Sequence, residues 1–177
     1  MKRELSTHFI YWLIFFALII LIRQHFSLNY IYFVVGGILG VVLPDIDHLI
    51  YAYFIKPGDL TSQRINYLVN KNEIKRTVEL LYETREERRE LIFHSIFFQG
   101  ILFILVFWIL TSSGSLLGKG LVLSFVFHLS VDQLIDLKNF GDLGMWFKNL
   151  PFKLDINQSK IYWIATTSLI LFMGLVM

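Results

Sequence analysis

Tyr30-Ile-Tyr-Phe-Val-Val-Gly-Gly-Ile-Leu-Gly-Val-Val42 runs without a charged side chain into Leu43-Pro44-Asp45-Ile46-Asp47-His48, which holds two carboxylates and an imidazole. Acidic groups at a hydrocarbon boundary are costly unless paired, hydrated or bound to a metal, so such residues are functional-site candidates by default. The apolar run needs a bilayer around it, and the polar cluster at its end needs partners. The rest of the chain offers them: Thr7-His8 before the first apolar run, Glu90 and His94 at the opening of the third, and His128 and Asp132 in the fourth.

Composition places these runs in a membrane. Of 177 residues, 55% are hydrophobic and 16% aromatic, and the mean hydropathy is +0.60, which is not the profile of a soluble globule. The length allows one domain, 1–177. The absence of cysteine excludes disulfides, thiolate metal sites and a cysteine nucleophile, so any metal must sit on nitrogen and oxygen ligands. A formal charge of +2 is too small to mark a nucleic-acid partner, and no nucleic-acid binding is predicted.

Met1-Lys2-Arg3 and the apolar run that follows look like a signal peptide, but Arg23-Gln24-His25-Phe26 offers no small-residue cleavage site, so an uncleaved span is expected over about 5–22. Gly36 and Gly40 give the second span, 28–43, a small-residue face, and Pro44 should end or kink it. Residues 49–90 read as a cytoplasmic helical insertion. Within it, Pro57-Gly58-Asp59 is a turn, Ile74, Val78 and Leu81 mark an amphipathic helix, and Asn70-Lys71-Asn72 breaks two helices apart. Thr84-Arg-Glu-Glu87 has the form of a capping box, which predicts a helix running uninterrupted into a third span over 91–110. A fourth span over 116–136, an interfacial segment over 138–160 marked by Trp146 and Pro151, and a fifth span over 161–177 follow. The expected fold is all-α: a polytopic membrane helix bundle of about five transmembrane helices with short cytoplasmic amphipathic helices.

The basic residues orient these spans. Of the 16 Lys and Arg, all but Arg23 and Lys119 fall on the side of the N-terminus and the middle segment. The positive-inside rule then puts the N-terminus inside and the C-terminus outside a cytoplasmic (inner) membrane. On that topology His8, Asp45, Asp47, His48, Glu90, His94, His128, Asp132 and Asp136 share the cytoplasmic level, and only His25 lies at the opposite one.

His128 and Asp132, four apart, share a helical face about 6 Å apart along the axis, and Glu90 and His94 repeat the spacing. If the chain is helical from Pro44, Asp45 and His48 pair at a spacing of three and Asp47 stands behind them. Neutral imidazoles and carboxylates on facing helices suit a divalent metal, zinc first, with manganese or iron as alternatives. A lone intramembrane His or Asp is more often an interhelical hydrogen bond than a ligand; four clusters at one level favour a metal site over a structural polar network. The stretch Glu83 to Glu90, with Arg85, Arg88 and Arg89 interleaved, reads as a solvated helix face with ion pairs, from which only Glu90 is promoted. Asp136 reads as interfacial, and Trp12, Trp108 and Trp163 as lipid contacts or anchors. His94 and His128 on adjacent helices also admit a b-type haem, so the alternative is a haem-binding or non-catalytic bundle acting as an electron carrier, transporter or structural component.

Thr7-His8, Leu43-Pro44-Asp45-Ile46-Asp47-His48, His94-Ser95 and His128-x-x-x-Asp132 resemble, in that order, the motifs of the bacterial and archaeal membrane-bound metal-dependent hydrolase-like family, described in some members as LexA-regulated. The likeness covers residues 7 to 151 through short scattered motifs, of which Pro-Asp-x-Asp-His is the most specific. It implies metal ligation by His8, Asp45, His48, His94, His128 and Asp132, with Asp47 nearby, and a similarity to the all-helical zinc phospholipase C and single-strand nuclease enzymes. Where the family usually has His-Arg-Gly-x-Thr-His-Ser, this chain reads Arg89-Glu90-Leu91-Ile92-Phe93-His94-Ser95, so either Glu90 replaces a missing ligand or the site lacks one. The expected function is metal-dependent hydrolysis of a phosphoester or lipid-linked substrate at the cytoplasmic membrane interface, with Asp47 accepting the proton.

Overall fold

The computed structural model describes residues 2–24, 26–88 and 90–177, without the side chains of residues 2–5 and of Glu86; His25 and Arg89 lie outside the described residues. All regular structure among the described residues is helical. The long elements are α1 (Lys2–Arg23), α2 (Ile31–Val42), α6 (Ile96–Ser112), α7 (Leu116–Phe140) and α8 (Ile156–Val176), and the shorter ones are α3 (Ile46–Ile50), α4 (Leu60–Asn70) and α5 (Ile74–Glu83). Four helical stretches are long and apolar enough to cross a membrane: Ser6–Arg23, Leu28–Ile55, Leu116–Phe140 and Ile156–Val176. At 1.5 Å per residue the 17 residues of α6 reach about 26 Å, short of a hydrocarbon core of about 30 Å. The chain is an all-α membrane helix bundle.

Its axis is α7, buried at every residue from Val122 to Gln133 and in contact with α1, α2, α6 and α8. Polar groups along this axis are partnered across helices. Gln133 Nε2 donates to Gln99 Oε1 at 2.9 Å, Tyr162 donates to the same oxygen at 2.6 Å, and the Ser130 and Thr167 hydroxyls meet at 2.6 Å. The Trp163 indole donates to the Ser130 carbonyl at 2.9 Å, so Trp163, like the buried Trp12, is an internal group rather than a lipid anchor. Such pairs fix helix register, because stranding one buried partner costs about 1–3 kcal/mol. The tightest seam joins α2 and α7. A Cβ on Gly36 would strike the Leu117 carbonyl, one on Gly40 the Leu121 carbonyl, and one on Gly120 the Phe33 carbonyl. The small-residue face expected at Gly36 and Gly40 is this seam, where only glycine lets the backbones touch.

Pro44 does not end the second span. Leu43–Asp45 tighten into a 3-10 turn with Pro44 near its start, where a missing N–H costs little, and the chain stays helical through α3 and a π-helical turn at Tyr51–Ile55. Asn72, in the left-handed region at φ 56°, makes the break between α4 and α5 that Asn-Lys-Asn predicted. The helix expected to run from Thr84 into the third span is interrupted instead. After a 3-10 turn at Arg85–Glu87, Arg88 and residues 90–95 are not helical, and α6 starts at Ile96, capped by Ser95 Oγ, which accepts from Phe98 N at 3.3 Å. The cause is Asp47, whose carboxylate takes the N–H groups of Ile92 and Phe93, donors that a continuous helix would have spent on its own carbonyls. Glu90 and His94 therefore share no helical face. Gly141, at φ 84°, ends α7. In the segment after it Leu143, Trp146 and Phe147 are buried, and the Trp146 carbonyl accepts from Ile96 N at 3.1 Å, while residues 148–149 and 151–153 are exposed. A capping box of Asp155 and Gln158 starts α8 at Ile156, five residues before the expected fifth span.

Candidate metal centre

Asp132 is the focus of the site. Its side chain is 1% exposed, and four separate segments deliver partners to it. His8, from the first turns of α1, places Nε2 3.0 Å from Oδ1. Arg85, from the 3-10 turn after α5, places Nη2 2.7 Å from the same oxygen. His94, just before α6, brings Nε2 within 2.9 Å of Oδ2, and His128, one turn earlier on α7, brings Nε2 within 3.0 Å of it. The rings of His8 and His128 stack at 4.3 Å and 24°.

These residues fit a divalent ion. Ligand atoms of His8, His128 and Asp132 lie within 4.8 Å of one another. His128 is buried; its Nε2 is ion-paired with Asp132 at 3.0 Å, while its Nδ1 has no hydrogen-bond partner among the described residues. An imidazole with one orphaned nitrogen, beside two others and a carboxylate, is a nitrogen and oxygen donor set of the kind zinc takes.

Around this centre stands a supporting layer. Asp47, fully buried, accepts from Ile92 N at 3.1 Å and Phe93 N at 2.6 Å, and Oδ2 lies 3.2 Å from His94 Nδ1. With both oxygens engaged, Asp47 orients His94 rather than standing ready as a base; a carboxylate behind a histidine fixes ring and tautomer in this way. Asp45 is on the rim, its side chain 35% exposed and Oδ1 3.7 Å from His128 Nε2. His48 is engaged by Arg88, whose Nε donates to its Nδ1 at 3.1 Å, and its ring lies 5.5 Å from that of His94. Arg88 also donates to Thr84 Oγ1 at 2.7 Å and to the Leu81 carbonyl. Burial, with Arg85 nearby, pulls its guanidinium down to about 10, so it stays charged at neutral pH.

Of the residues singled out in the sequence, His8, His94, His128 and Asp132 come together, Asp45 and Asp47 adjoin them, and His48 sits one residue further out. Glu90 does not join: exposed, it pairs with Lys56 at 3.5 Å on the surface. Asp136 is buried rather than interfacial, accepting from Trp146 Nε1 at 2.7 Å and lying 3.9 Å from Arg85. The sequence reading missed Arg85 and Arg88, which turn inward instead of forming a solvated face.

The sequence profile of the YdjM inner membrane protein family matches residues 4–171. Among curated proteins and solved structures, none matches the chain. With the match covering nearly its whole length, and an all-α bundle of apolar helices as the fold, the chain belongs to the YdjM inner membrane protein family.

Proposed function

We propose that the chain is a divalent-metal-dependent hydrolase of phosphoesters whose site opens at the cytoplasmic face of the membrane. The observation that carries this reading is the convergence of His8, His94 and His128 on buried Asp132 from separate segments of a membrane bundle. Three imidazoles would not be gathered around one carboxylate inside an apolar bundle for stability alone, because polar clusters there are expensive. An ion held by His8, His128 and Asp132, with His94 beside them, would polarise a phosphoryl oxygen and acidify a water. Asp47 holds His94 in place. Asp45, at the rim with its side chain partly exposed, takes the proton-accepting role first assigned to Asp47. Cytoplasmic placement rests on the distribution of Lys and Arg, all but Arg23 and Lys119 lying on the side of the site. A haem between His94 and His128 is the weaker reading, since both imidazoles approach the same Asp132 oxygen and leave no gap for a porphyrin.

The test is elemental analysis of detergent-purified protein together with hydrolysis of p-nitrophenyl phosphate, bis-p-nitrophenyl phosphate and phospholipid vesicles. Wild-type protein should carry a divalent metal and release product from at least one of these. His128→Ala and Asp132→Asn should lose both properties. Variants that keep the metal, or a metal-loaded wild type inert toward all three substrates, would overturn the proposal.

A further inference from the structure

Two clefts meet at Arg85. One, of about 240 Å³, is lined by Arg85, Arg88, His94, Asp136 and Trp146 among others. The second, of about 270 Å³, is walled by Val42, Ile46, Leu49, Val78 and Leu81, with Asp45 and His48 at its end toward the site, and Tyr82 and Arg85 border it as they border the first. The two differ in chemistry: the first is rich in charged and hydrogen-bonding groups, whereas the second is a mainly apolar trough between the end of α2, α3 and α5.

The apolar cleft is continuous with the outer surface of the bundle. Ile31, Val35, Ile38, Val42 and Ile46 are each more than 40% exposed. They recur at spacings of three and four, so they form one stripe running along α2 into α3. Exposed apolar side chains on a membrane helix face acyl chains, and the last two members of this stripe wall the second cleft. A chain lying against α2 would thus slide into the cleft without crossing water. Its occupant is therefore a lipid chain. At the other end Arg85 is ion-paired with Asp132 at 2.7 Å and lies 3.9 Å from Asp136, so a phosphate would share its planar fork with these carboxylates. Arg88 adds positive charge but spends its donors on His48, Thr84 and Leu81. Each cleft, at about 240 and 270 Å³, falls below the range of about 300–1,000 Å³ for whole-ligand sites, so each suits only one part of an amphiphile.

Resting on the hydrolase reading above, we propose that the substrate is a phosphate-bearing lipid: its phosphate enters the cleft beside His94, the first part of one acyl chain fills the trough between α3 and α5, and Arg85 holds the junction. The probes are lysophosphatidic acid, glycerol 3-phosphate and a monoacylglycerol with the same chain. Binding of each labelled probe is measured on full-length protein in maltoside micelles, with empty micelles subtracted, and phosphate release is measured separately. Lysophosphatidic acid should bind at least tenfold more tightly than either part. Val78→Trp and Ile46→Trp, both at partly exposed positions that tolerate bulk, should remove its advantage over glycerol 3-phosphate, and Arg85→Lys should reduce its advantage over the monoacylglycerol. Equal binding of the three probes, or full lysophosphatidic acid affinity in both Trp variants, would overturn the inference. Cleft-dependent binding with no phosphate release would keep the lipid as the ligand of these clefts and overturn its role as substrate together with the hydrolase reading. Phosphate release from glycerol 3-phosphate as fast as from the lipid, unchanged by Val78→Trp, would keep hydrolysis and sink the lipid assignment.

Discussion

Replacing Asp47 tells a positioning carboxylate from a proton acceptor. The side chain is fully buried and engages Ile92 N at 3.1 Å, Phe93 N at 2.6 Å and His94 Nδ1 at 3.2 Å. Asp47→Ala strands all three groups at about 1–3 kcal/mol each. Ile92 is partly open to water, so the total falls at about 3–6 kcal/mol, a large share of the roughly 5–15 kcal/mol that holds a domain folded. Asp47→Asn is gentler. It keeps one acceptor oxygen but points an amide N–H at groups that are themselves donors, costing about 2–3 kcal/mol. His94 then loses the partner that sets its ring, and loss of such a partner lowers metal affinity about 10–100-fold. The assay is zinc titration against a competing chelator, with amide exchange followed over residues 90–95. Asp47→Asn should bind zinc more weakly and exchange faster at Ile92 and Phe93. A variant with wild-type zinc affinity and wild-type protection, but no turnover, would show that Asp47 is the base and that the positioning argument is wrong.

Three further outcomes follow from the geometry. Gly120→Leu should force α2 from α7 by pushing a side chain into the Phe33 carbonyl, an overpacking cost of about 1–3 kcal/mol or more, read as a lower melting temperature in detergent, while Gly100→Ala, with open space at its Cβ, should not. Glu90→Gln should leave metal content unchanged and alter stability by less than about 1 kcal/mol, since its pair with Lys56 is on the surface; metal loss would restore Glu90 to the ligand set. A C-terminal reporter active only in the cytoplasm should stay silent if the chain crosses five times, and activity would mean that the short α6 does not cross.

The helical class was legible because apolar runs of the needed length, and the glycines that let two of them touch, are local properties. Gly36 and Gly40 announced a close seam, although nothing in the sequence said that Gly120 would face them. The interruption between Arg85 and Ile96 was not legible. Thr84-Arg-Glu-Glu87 carries a real local preference for starting a helix, but a preference worth about 1 kcal/mol loses to a distant buried carboxylate, Asp47, that binds the main-chain N–H groups of Ile92 and Phe93. Of the two effects expected of Pro44, an end or a local departure from α-helix, the structure shows the second: a 3-10 turn absorbs a proline that an unbroken α-helix would not.

The site shows the same division between residue type and partnership. His8, His94, His128 and Asp132 stood out because imidazoles and acids are rare beside apolar runs, and their spacing on α7 fixed one face. Arg85 and Arg88 were hidden among charges of both signs, in a stretch whose composition is that of a solvated helix. Charge accounting would have exposed them. Asp47, Asp132 and Asp136 are all buried, and in a low-dielectric interior each carboxylate needs a cation, a metal or several donors to remain ionised. Histidines supply positive charge only when protonated, and a protonated imidazole cannot ligate a metal. Asp47 is met by two main-chain N–H groups and His94, whereas Asp132 and Asp136 also face a fixed cation, and the densest run of arginine and lysine on that side of the chain lies between Lys56 and Arg89. Part of this run folds back over the acids buried toward the end of α7, and Arg85, 2.7 Å from Asp132, is where it does.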